Sequence, residues 1–569
     1  MKNFDKKLEK WLPFFLALVF ILLTASNLGS MSNPDELVHR VDKALAGRWE
    51  FDTENFDYPS LPKYVMFGVG KLVYGLGYGY DEFFIAARFL SVLLGAATIY
   101  LVYHLARRAG GGTWASVLAS LFMLGNHILA INARFAHNDL YMLFFATLSV
   151  YFVLRYVSSL SPGERAEGGG RGWLYASFFT VGLTASSKYN GGIFVLVPLV
   201  VWAGFHYRTF WAEKLRTLET LFISAVLTFL GFALGTPKAL LWMVYYFKRA
   251  LPAISRHATF GNTAGLPRGF VGQWAVLWEM FGGVLFILTL GVLMYFGYKA
   301  LQAYFASLRG NFTAEAISTP ERETASQKDA RSDTEKVDFR YAGILILAII
   351  VYDLPIMFSY NYQARFFLPL LPFFAVLFGM GVEAFTAWVG QTKFAQVQVW
   401  VPRVALLILL VSGLRVISVR LLLANDARIP ARAFIDSLPE GRSLEHTFYA
   451  PDFERERFER EHDYPIYFVK HEGDIAPAEV DKGYPINGGE AGLLERGTDY
   501  FVTDSFTLSR CANEGLAATN PVECDFFAAL FTGETSYELI GDFAYALPKF
   551  LPQIEIDFVN PEIRVFQKK

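Results

Sequence analysis

Two adjacent carboxylates, Asp35 and Glu36, follow the first long apolar run of the chain by only a few residues. A carboxylate just outside a lipid bilayer can take a proton from a hydroxyl group and so serve as a general base. The same stretch also fits a helix cap, with Asn33 as the N-cap, Pro34 at the first helical position and Glu36 in a capping box. The cap does not need Asp35. The residues alone leave both explanations open.

A second polar cluster, residues 134–139 (Arg-Phe-Ala-His-Asn-Asp), lies in a very short turn between two later apolar runs. Asn138 or Asp139 could cap the following helix, and Arg134 could extend to the membrane interface. The alternative is a functional role for polar groups held at membrane depth. The turn is predicted on the same side as Asp35 and is too short to leave the membrane surface, so two carboxylates could share a cavity there.

Cations also accumulate on this predicted side. Lys188-Tyr189 and Arg365 lie at ends of apolar runs where the positive-inside bias disfavours cations. Each by itself is explained by a side chain that reaches to the interface. The same side also carries Lys63, Lys238, Lys248, Arg249, Arg256, His257 and Arg268. Several cations, two acids and aromatic loops together indicate a site for an anionic headgroup, most simply a phosphate at the bilayer surface.

The composition is that of a membrane protein. Of 569 residues, 53% are hydrophobic and only 18% are charged, against about a quarter in soluble proteins. Since a crossing needs about 20 apolar residues, eleven transmembrane helices are predicted, near residues 11–29, 82–106, 114–131, 139–157, 173–187, 190–205, 219–235, 280–300, 341–358, 366–389 and 403–423. The first run is too long, and lacks a small-residue cleavage site, for a removed signal peptide, so we expect it to remain as an anchor.

Lys and Arg in the short loops predict the orientation. They are frequent in the N-terminal segment and in every second loop after it, which places the N-terminus in the cytoplasm and the C-terminus outside. The predicted fold is an α-helical polytopic membrane domain over 1–423, with outer loops 30–80 and 236–279. A cytoplasmic loop covers 301–340, and its polar part, 306–340, is predicted to be disordered.

Residues 424–569 differ from the rest, because they are charged and contain short strand-like runs. They predict a small extracytoplasmic α/β domain. The only two cysteines, Cys511 and Cys524, both lie in this segment and fit a disulfide in an oxidising compartment.

Several functional classes lack support. A net charge of -2 gives no electrostatic basis for binding nucleic acid. No Cys/His cluster has zinc-ligand spacing, and no Gly-x-Ser-x-Gly elbow occurs. The glycine runs 110–112 and 168–170 do not follow strands, so neither is a nucleotide-binding loop.

Taken in order, the polar motifs resemble those of the multispanning GT-C membrane glycosyltransferases, and most closely the branch of protein O-mannosyltransferases and lipid A aminoarabinose transferases. The likeness covers residues 10–390. The matching motifs are Asp35-Glu36, the Pro-rich stretch 58–64, residues 134–139 followed by 140–145, and residues 188–192, 236–238 and 363–369. One departure is Ser60, where the family often has a second Pro. The tail 424–569 matches no motif of the family, so the acceptor stays open.

The resemblance implies transfer of a sugar from a polyprenyl or dolichyl phosphate to an acceptor hydroxyl on the extracytoplasmic side, with inversion of the anomeric centre. It implies Asp35 as the general base, Glu36 as a supporting carboxylate, and Asp139 as a third acidic residue of the catalytic site. Lys188, Lys238 and Arg365 would stabilise the leaving phosphate, and Arg365 is best suited to a bidentate contact.

The remaining implied binding residues are Lys63, Tyr64, Arg134, His137 and Tyr189. His137 and Asp139 would orient the acceptor, position a cation or hold a divalent ion; no other cofactor is implied. The implied partners are the lipid-linked sugar donor, membrane lipids and a protein, lipid or glycan acceptor. The implied location is a cell membrane, most simply a prokaryotic one.

Two other classes of function stay open at this stage. A transporter or flippase of polyprenyl-linked sugars would keep polar residues at the bilayer midplane on broken helices within internal repeats, whereas the charges here lie at span ends and no repeat is visible. A non-catalytic scaffold that binds glycan through its outer tail would have no use for Asp35.

Overall fold

The structure is a computed structural model that describes residues 6–29, 36–48, 56, 58–160, 170–207, 209–259, 269–313, 339–358, 363–464, 487–512, 517, 521–556 and 559–569. Asn33, Pro34 and Asp35 lie outside the described residues, as does Arg268. The chain divides into two compact units, Met1–Ala25 with Asp35–Val416, and Ser26–Pro34 with Ile417–Lys569.

The first unit consists of α-helices joined by turns and short 3-10 helices. The α-helices are α1 (Lys6–Thr24), α2 (Val38–Leu45), α3 (Leu61–Gly75), α4 (Tyr80–Arg108), α5 (Thr113–Leu124), α6 (His127–Asn132), α7 (Asp139–Ser159), α8 (Gly170–Ser187), α9 (Leu196–His206), α10 (Lys214–Gly235), α11 (Lys238–Leu241), α12 (Met243–Thr259), α13 (Phe270–Phe281), α14 (Gly283–Thr313), α15 (Phe339–Met357), α16 (Leu371–Gly390) and α17 (Trp400–Ala424). The 3-10 helices are Tyr189–Val195, Ala364–Leu370 and Ala395–Val397.

The protein is a multi-pass membrane protein. In the described part of the chain, seven helical segments are long and apolar enough to cross a bilayer, or eight if one bent pair counts as a span. Helices occupy all eleven predicted positions, but the number eleven is not confirmed, because α1, α5 and α8 are not among these segments. Helix α5 has 12 residues, about 18 Å at 1.5 Å per residue, against a bilayer core of about 30 Å.

The predicted span 280–300 is part of a bent pair. Helices α13 and α14 meet at an angle of 117° at Gly282, whose φ of +77° is a backbone conformation that favours glycine. A Cβ at this position would lie 2.9 Å from the guanidinium of Arg415. Two loop predictions also change in detail. The segments predicted as outer loops, 30–80 and 236–279, contain helices α2, α3, α11 and α12 and most of α13. Helix α14 continues to Thr313, so the prediction of disorder from residue 306 is wrong for 306–313.

Close contact between α8 and α10 depends on two glycines. A Cβ on Gly182 would lie 2.1 Å from the carbonyl oxygen of Thr228, and one on Gly231 would lie 2.1 Å from that of Phe179. Small residues at facing positions let membrane helices approach until their backbones touch. The contact holds the C-terminal ends of both helices, at Ser187 and Gly235, beside each other.

The second unit contains a five-stranded sheet with helices. Its α-helices are α18 (Arg428–Ile435), α19 (Gly489–Arg496), α20 (Ser505–Leu508) and α21 (Pro521–Thr532), and its strands are β1 (Ser443–His446), β2 (Arg460–Asp463), β3 (Tyr500–Asp504), β4 (Tyr537–Phe543) and β5 (Ile563–Lys568). The strand order is β2-β1-β3-β5-β4, with β1 parallel to β2 and β3, and β5 antiparallel to β3 and β4.

Side chains alternate between two cores on opposite faces of this sheet. Tyr500 and Val502 of β3 pack with α18, whereas Phe501 packs with α19 and α21, as the two-residue period of a strand requires. The predicted disulfide between Cys511 and Cys524 is present and joins the turn after α20 to α21.

Candidate active site

Glu36 forms a buried ion pair with Arg88 of α4. Nε and Nη2 of Arg88 donate to Oε1 and Oε2 of Glu36 at 2.8 and 2.5 Å. The backbone N–H of Ala136 donates to Oε1 at 2.7 Å, and the N–H of Leu37 donates to the carbonyl of Ala136 at 3.0 Å. Glu36 therefore fixes the first loop both to α4 and to the turn that contains Ala136.

These contacts keep Glu36 charged. Burial alone would raise the pKa of Glu36, because a buried carboxylate loses its hydration. The charge and hydrogen bonds of Arg88 and the N–H of Ala136 outweigh this effect, and the pKa lies below its usual value. The predicted capping box is wrong for Glu36, since α2 begins at Val38 with Leu37 at the N-cap position. Glu36 precedes that helix and cannot occupy its third position.

Asp139 and Lys188 form a second buried ion pair. Asp139 is the first residue of α7, and its Oδ1 accepts a hydrogen bond from Nζ of Lys188 at 2.7 Å. The exposed fractions of the two residues are 3% and 9%. Asn138 takes the N-cap position, but its side chain makes no capping hydrogen bond. The carboxylate of Asp139 thus pairs with Lys188, the residue after α8, and does not cap the N-terminus of α7.

Arg365 belongs to the same group. Nζ of Lys188 lies 4.1 Å from the ring centre of Phe366, and Cζ of Arg365 lies 5.6 Å from that same centre. Nε of Arg365 donates to Oε1 of Gln363 at 2.7 Å. Arg365 and His137 both lie within electrostatic range of Asp139. The structure therefore brings together four residues that the sequence predicts for one site.

The Pro-rich stretch and the Thr-Pro turn, predicted as separate motifs, are in contact. The N–H of Ser60 donates to Oγ1 of Thr236 at 3.2 Å, and this oxygen lies 2.7 Å from Oγ of Ser186 near the end of α8. Lys63 is fully buried, and its Nζ donates to the carbonyl of Tyr58 at 3.0 Å. Lys63 thus holds the local turn that precedes α3.

Three other predicted binding residues lie around this core. The hydroxyl of Tyr189 is 2.6 Å from that of Tyr246 on α12. Nζ of Lys238 lies 3.7 Å from the ring centre of Trp242. Tyr64 is 36% exposed on α3.

Arg134 and His137 are both buried in the turn before α7. Nη2 of Arg134 donates to the carbonyl of Leu23 at 2.9 Å, so this arginine holds the end of α1. The alternative in which it extends to the interface is wrong, since only 3% of it is exposed. The His137 ring lies edge-on to Phe135 at 6.1 Å.

All these side chains come from one end of the helical bundle, formed by the starts of α4 and α7, the ends of α8 and α10, and the two 3-10 helices Tyr189–Val195 and Ala364–Leu370. The sequence interpretation missed Arg88, Phe366 and Gln363. For Arg88 a signal exists, because a charged residue inside an apolar run is costly and marks a functional or paired position.

Metal binding remains a prediction. Among the described residues, no three His, Cys, Asp or Glu side chains are placed to hold a metal ion together.

An apolar cavity of about 570 Å³ adjoins the site. The cavity is open on one side and is lined by helices α8, α9, α10 and α12, and its walls include Phe178, Tyr189, Leu199, Leu221, Phe232 and Phe247. The lining positions on α10 from Leu221 to Phe232 span about 16 Å of helix. The cavity therefore reaches from Tyr189, which follows Lys188 in the chain, well into the depth of the bilayer.

Comparison with known proteins bears on this arrangement. The sequence model of a family described as dolichyl-phosphate-mannose-protein mannosyltransferase matches residues 75–248. The resemblance to GT-C membrane glycosyltransferases is confirmed. The family match over residues 75–248 includes Asp139, Lys188 and Lys238, whereas Glu36 and Arg365 lie outside it.

A polyprenol-phosphate-mannose–protein mannosyltransferase of Corynebacterium glutamicum is 25% identical over 118 residues, which are 18% of this chain and 23% of that protein. The match thus spans less than a quarter of the relative's length.

Two solved structures align with nearly the whole chain. The archaeal oligosaccharyltransferase AglB from Archaeoglobus fulgidus, in complex with an inhibitory peptide and a dolichol-phosphate, aligns with a TM-score of 0.51 at 12% identity over 98% of this chain and 76% of that chain. ArnT from Cupriavidus metallidurans, bound to undecaprenyl phosphate, aligns with a TM-score of 0.47 at 14% identity over 97% of both chains.

Proposed function

We propose that the protein is a membrane glycosyltransferase that moves a sugar from a polyprenyl phosphate, dolichyl or undecaprenyl, to an acceptor hydroxyl on the extracytoplasmic side. The family match over residues 75–248 and the named activity of the mannosyltransferase relative support this class of reaction. The dolichol-phosphate and peptide bound by AglB support the kind of partners, a lipid phosphate and a protein or other hydroxyl-bearing acceptor.

One observation carries the proposal. Two cations, the buried Lys188 and the half-buried Arg365, lie by the Phe366 ring next to Asp139, and an apolar cavity begins one residue after Lys188 in the chain, at Tyr189. Fixed cations next to an apolar cavity at membrane depth suit a ligand with a phosphate head and a long hydrocarbon tail. A soluble sugar nucleotide has no hydrocarbon tail that would fill this cavity.

The chemistry follows from these groups. The acceptor hydroxyl attacks the anomeric carbon and gives its proton to a carboxylate, for which we propose Asp35. The bond between the anomeric carbon and the phosphate oxygen breaks, and its electron pair stays on the lipid phosphate. Lys188, Arg365 and Lys238 stabilise the charge that this phosphate gains. Attack from the face opposite the phosphate inverts the anomeric centre.

We assign Glu36 and Asp139 positioning roles instead of proton transfer. Both oxygens of Glu36 accept hydrogen bonds from Arg88, and Oε1 also accepts one from the N–H of Ala136. The residue next to the proposed base in the chain is thereby attached to the turn of residues 134–139. Asp139 accepts a hydrogen bond from Nζ of Lys188 and holds this ammonium group at the site. His137 would orient the acceptor or help hold a divalent cation. We propose that the second unit lies outside the cytoplasm.

The test is incubation of purified protein with a panel of polyprenyl-phosphate sugars, with mass spectrometry of candidate peptide, lipid and glycan acceptors. Asp35→Asn should lower turnover roughly 10²–10⁴-fold and leave thermal stability and donor binding near normal. Asp81→Asn removes an exposed carboxylate at the start of α4 and serves as the matched control. Normal turnover by Asp35→Asn would end the assignment of the base, and the absence of transfer from every donor would end the proposed activity.

A further inference from the structure

A second cavity, of about 400 Å³, opens at the other end of the same helices. It lies between the end of α7, the start of α8, the end of α9 and the start of α10. Helix α7 has 21 residues between Asp139 and Ser159, about 32 Å of helix, which is close to the thickness of a bilayer core. The cavity is therefore one membrane thickness away from the candidate active site, at the opposite membrane face.

The cavity carries more positive than negative charge. Arg171 and Arg216 both line it, and Glu213 is the one carboxylate among its lining residues. Nη1 of Arg216 donates to Oε2 of Glu213 at 3.2 Å, but these side chains are 61% and 47% exposed, so the pair is weak. Within the described part of the chain, no ion pair engages Arg171. Among the described residues that line the cavity, the guanidinium of Arg171 is thus available to an anion.

The helix ends add to this field. Gly170, at the start of α8, lines the cavity, and so does Thr217 in the first turn of α10. The N-terminal ends of both helices carry partial positive charge from their unsatisfied N–H groups. Together with Arg171 they make the cavity attractive to a phosphate, whose oxygens match the planar fork of an arginine.

The remaining wall is aromatic. The rings of Trp202 and His206 stack at 5.6 Å and 19°, and the hydroxyl of Tyr156 lies 3.5 Å from Nδ1 of His206. Aromatic groups with a polar edge are typical of the membrane interface. They offer an apolar surface to the glycerol region of a lipid and polar edges to its headgroup.

We propose that this cavity binds the phosphate group of an anionic ligand, as presented by an anionic phospholipid headgroup in the membrane leaflet opposite the candidate active site. The loops around it contain the Arg residues that predict a cytoplasmic face, and basic pockets between helices on that face bind anionic headgroups. A soluble phosphate compound has the same chemistry, and the experiment separates the two sources.

The experiment measures the thermal unfolding of the purified full-length protein in detergent while phosphatidylglycerol, phosphatidylcholine or inorganic phosphate is added. We expect saturable stabilisation by phosphatidylglycerol and none by phosphatidylcholine. Arg171→Gln should raise the lipid concentration at half-effect about tenfold, because one charge-assisted contact is lost. Arg216→Gln should raise this concentration as well.

Arg155→Gln is the control, because Arg155 lies at the same membrane face but stacks on Trp173 at 4.3 Å and does not line the cavity. It should respond to phosphatidylglycerol like the unmodified protein. If inorganic phosphate stabilises as strongly and competes with the lipid, the ligand is a soluble phosphate compound. Equal effects of the two lipids without any effect of phosphate, or equal losses in Arg155→Gln and Arg171→Gln, would overturn the proposal. If Arg171→Gln does not fold, Arg216→Gln decides, since its exposed side chain tolerates replacement.

Discussion

Glu36 and Asp139 are both buried carboxylates paired with a cation, and the surroundings of their partners separate their roles. Arg88 engages both oxygens of Glu36 with two nitrogens, which leaves the pair as a structural clamp. Lys188 meets Asp139 with its one nitrogen and also faces the Phe366 ring near Arg365. A lysine whose ammonium group is fixed by an ion pair is pre-organised for a phosphate and needs little reorganisation when charge develops.

The clamp made by Glu36 should contribute to stability in a pH-dependent way. Glu36→Gln leaves Arg88 buried without its counter-charge, which costs roughly 3–5 kcal/mol. The pKa of Glu36 is lowered in the folded protein from its usual 4.5, so the stabilisation is complete above that value and is lost as the pH falls through the lowered folded pKa. Thermal unfolding of both proteins should show a constant difference from about pH 7 to pH 5 that narrows at more acid pH.

Glu219→Gln, which changes an exposed glutamate on α10, is the control and should match the unmodified protein throughout. A difference between Glu36→Gln and the unmodified protein that grows on acidification would contradict the lowered pKa.

Arg365 provides a test of phosphate recognition. Arg365→Ala should weaken donor use about ten- to a hundredfold, because a charge-assisted contact is worth about 1.5–3 kcal/mol. Arg365→Lys should lose less, since the charge remains while the planar fork is absent. The measurement is the donor dependence of turnover. Two variants that bind and turn over donor like the unmodified protein would reduce Arg365 to an interfacial anchor.

At the scale of elements, the contact between α8 and α10 sets the geometry of the site. It places Ser186, and with it Lys188, beside Thr236. Gly182→Ala should separate these helices, because the new methyl group would collide with the backbone at Thr228, and overpacking of this kind costs about 1–3 kcal/mol. Gly172→Ala on the same helix, where a Cβ meets nothing within 4 Å, is the control.

The unfolding temperature and the turnover rate should both fall for Gly182→Ala and stay unchanged for Gly172→Ala. An equally stable and active Gly182→Ala protein would mean that the two helices can move apart without disturbing the site.

The sequence predicts the elements better than their ends. Long apolar runs show where helices lie, since burial in lipid requires them. They do not reveal the 117° bend between α13 and α14, which depends on the backbone freedom of Gly282 and on Arg415, far away in the chain. The same holds for the Pro-rich stretch, whose partner Thr236 is 176 residues distant from Ser60.

For the whole molecule, charge placement made the site partly predictable. The sequence places Asp139, Lys188 and Arg365 on one side of the membrane, because each interrupts or borders an apolar run. The structure brings these three residues together. The partner of Glu36 could not be deduced, because Arg88 is 52 positions away and spacing carries no information about pairing between helices. Asp35 lies outside the described residues, so its role as a base stays a prediction.

The orientation of the whole molecule yields the final prediction. The three Arg residues after the middle of α7, Arg155, Arg165 and Arg171, predict that the segment 160–170 is cytoplasmic, and seven predicted spans lie between it and residues 424–569. An odd number of crossings places these two segments on opposite sides of the membrane. Fusions at residue 165 and at the C-terminus, each made with a cytoplasm-specific and with a periplasm-active reporter, should therefore give opposite results, with the periplasmic reporter active only at the C-terminus. Matching results at both sites would mean that the number of crossings between them is even, and activity of only the cytoplasm-specific reporter at the C-terminus would place the second unit inside the cytoplasm.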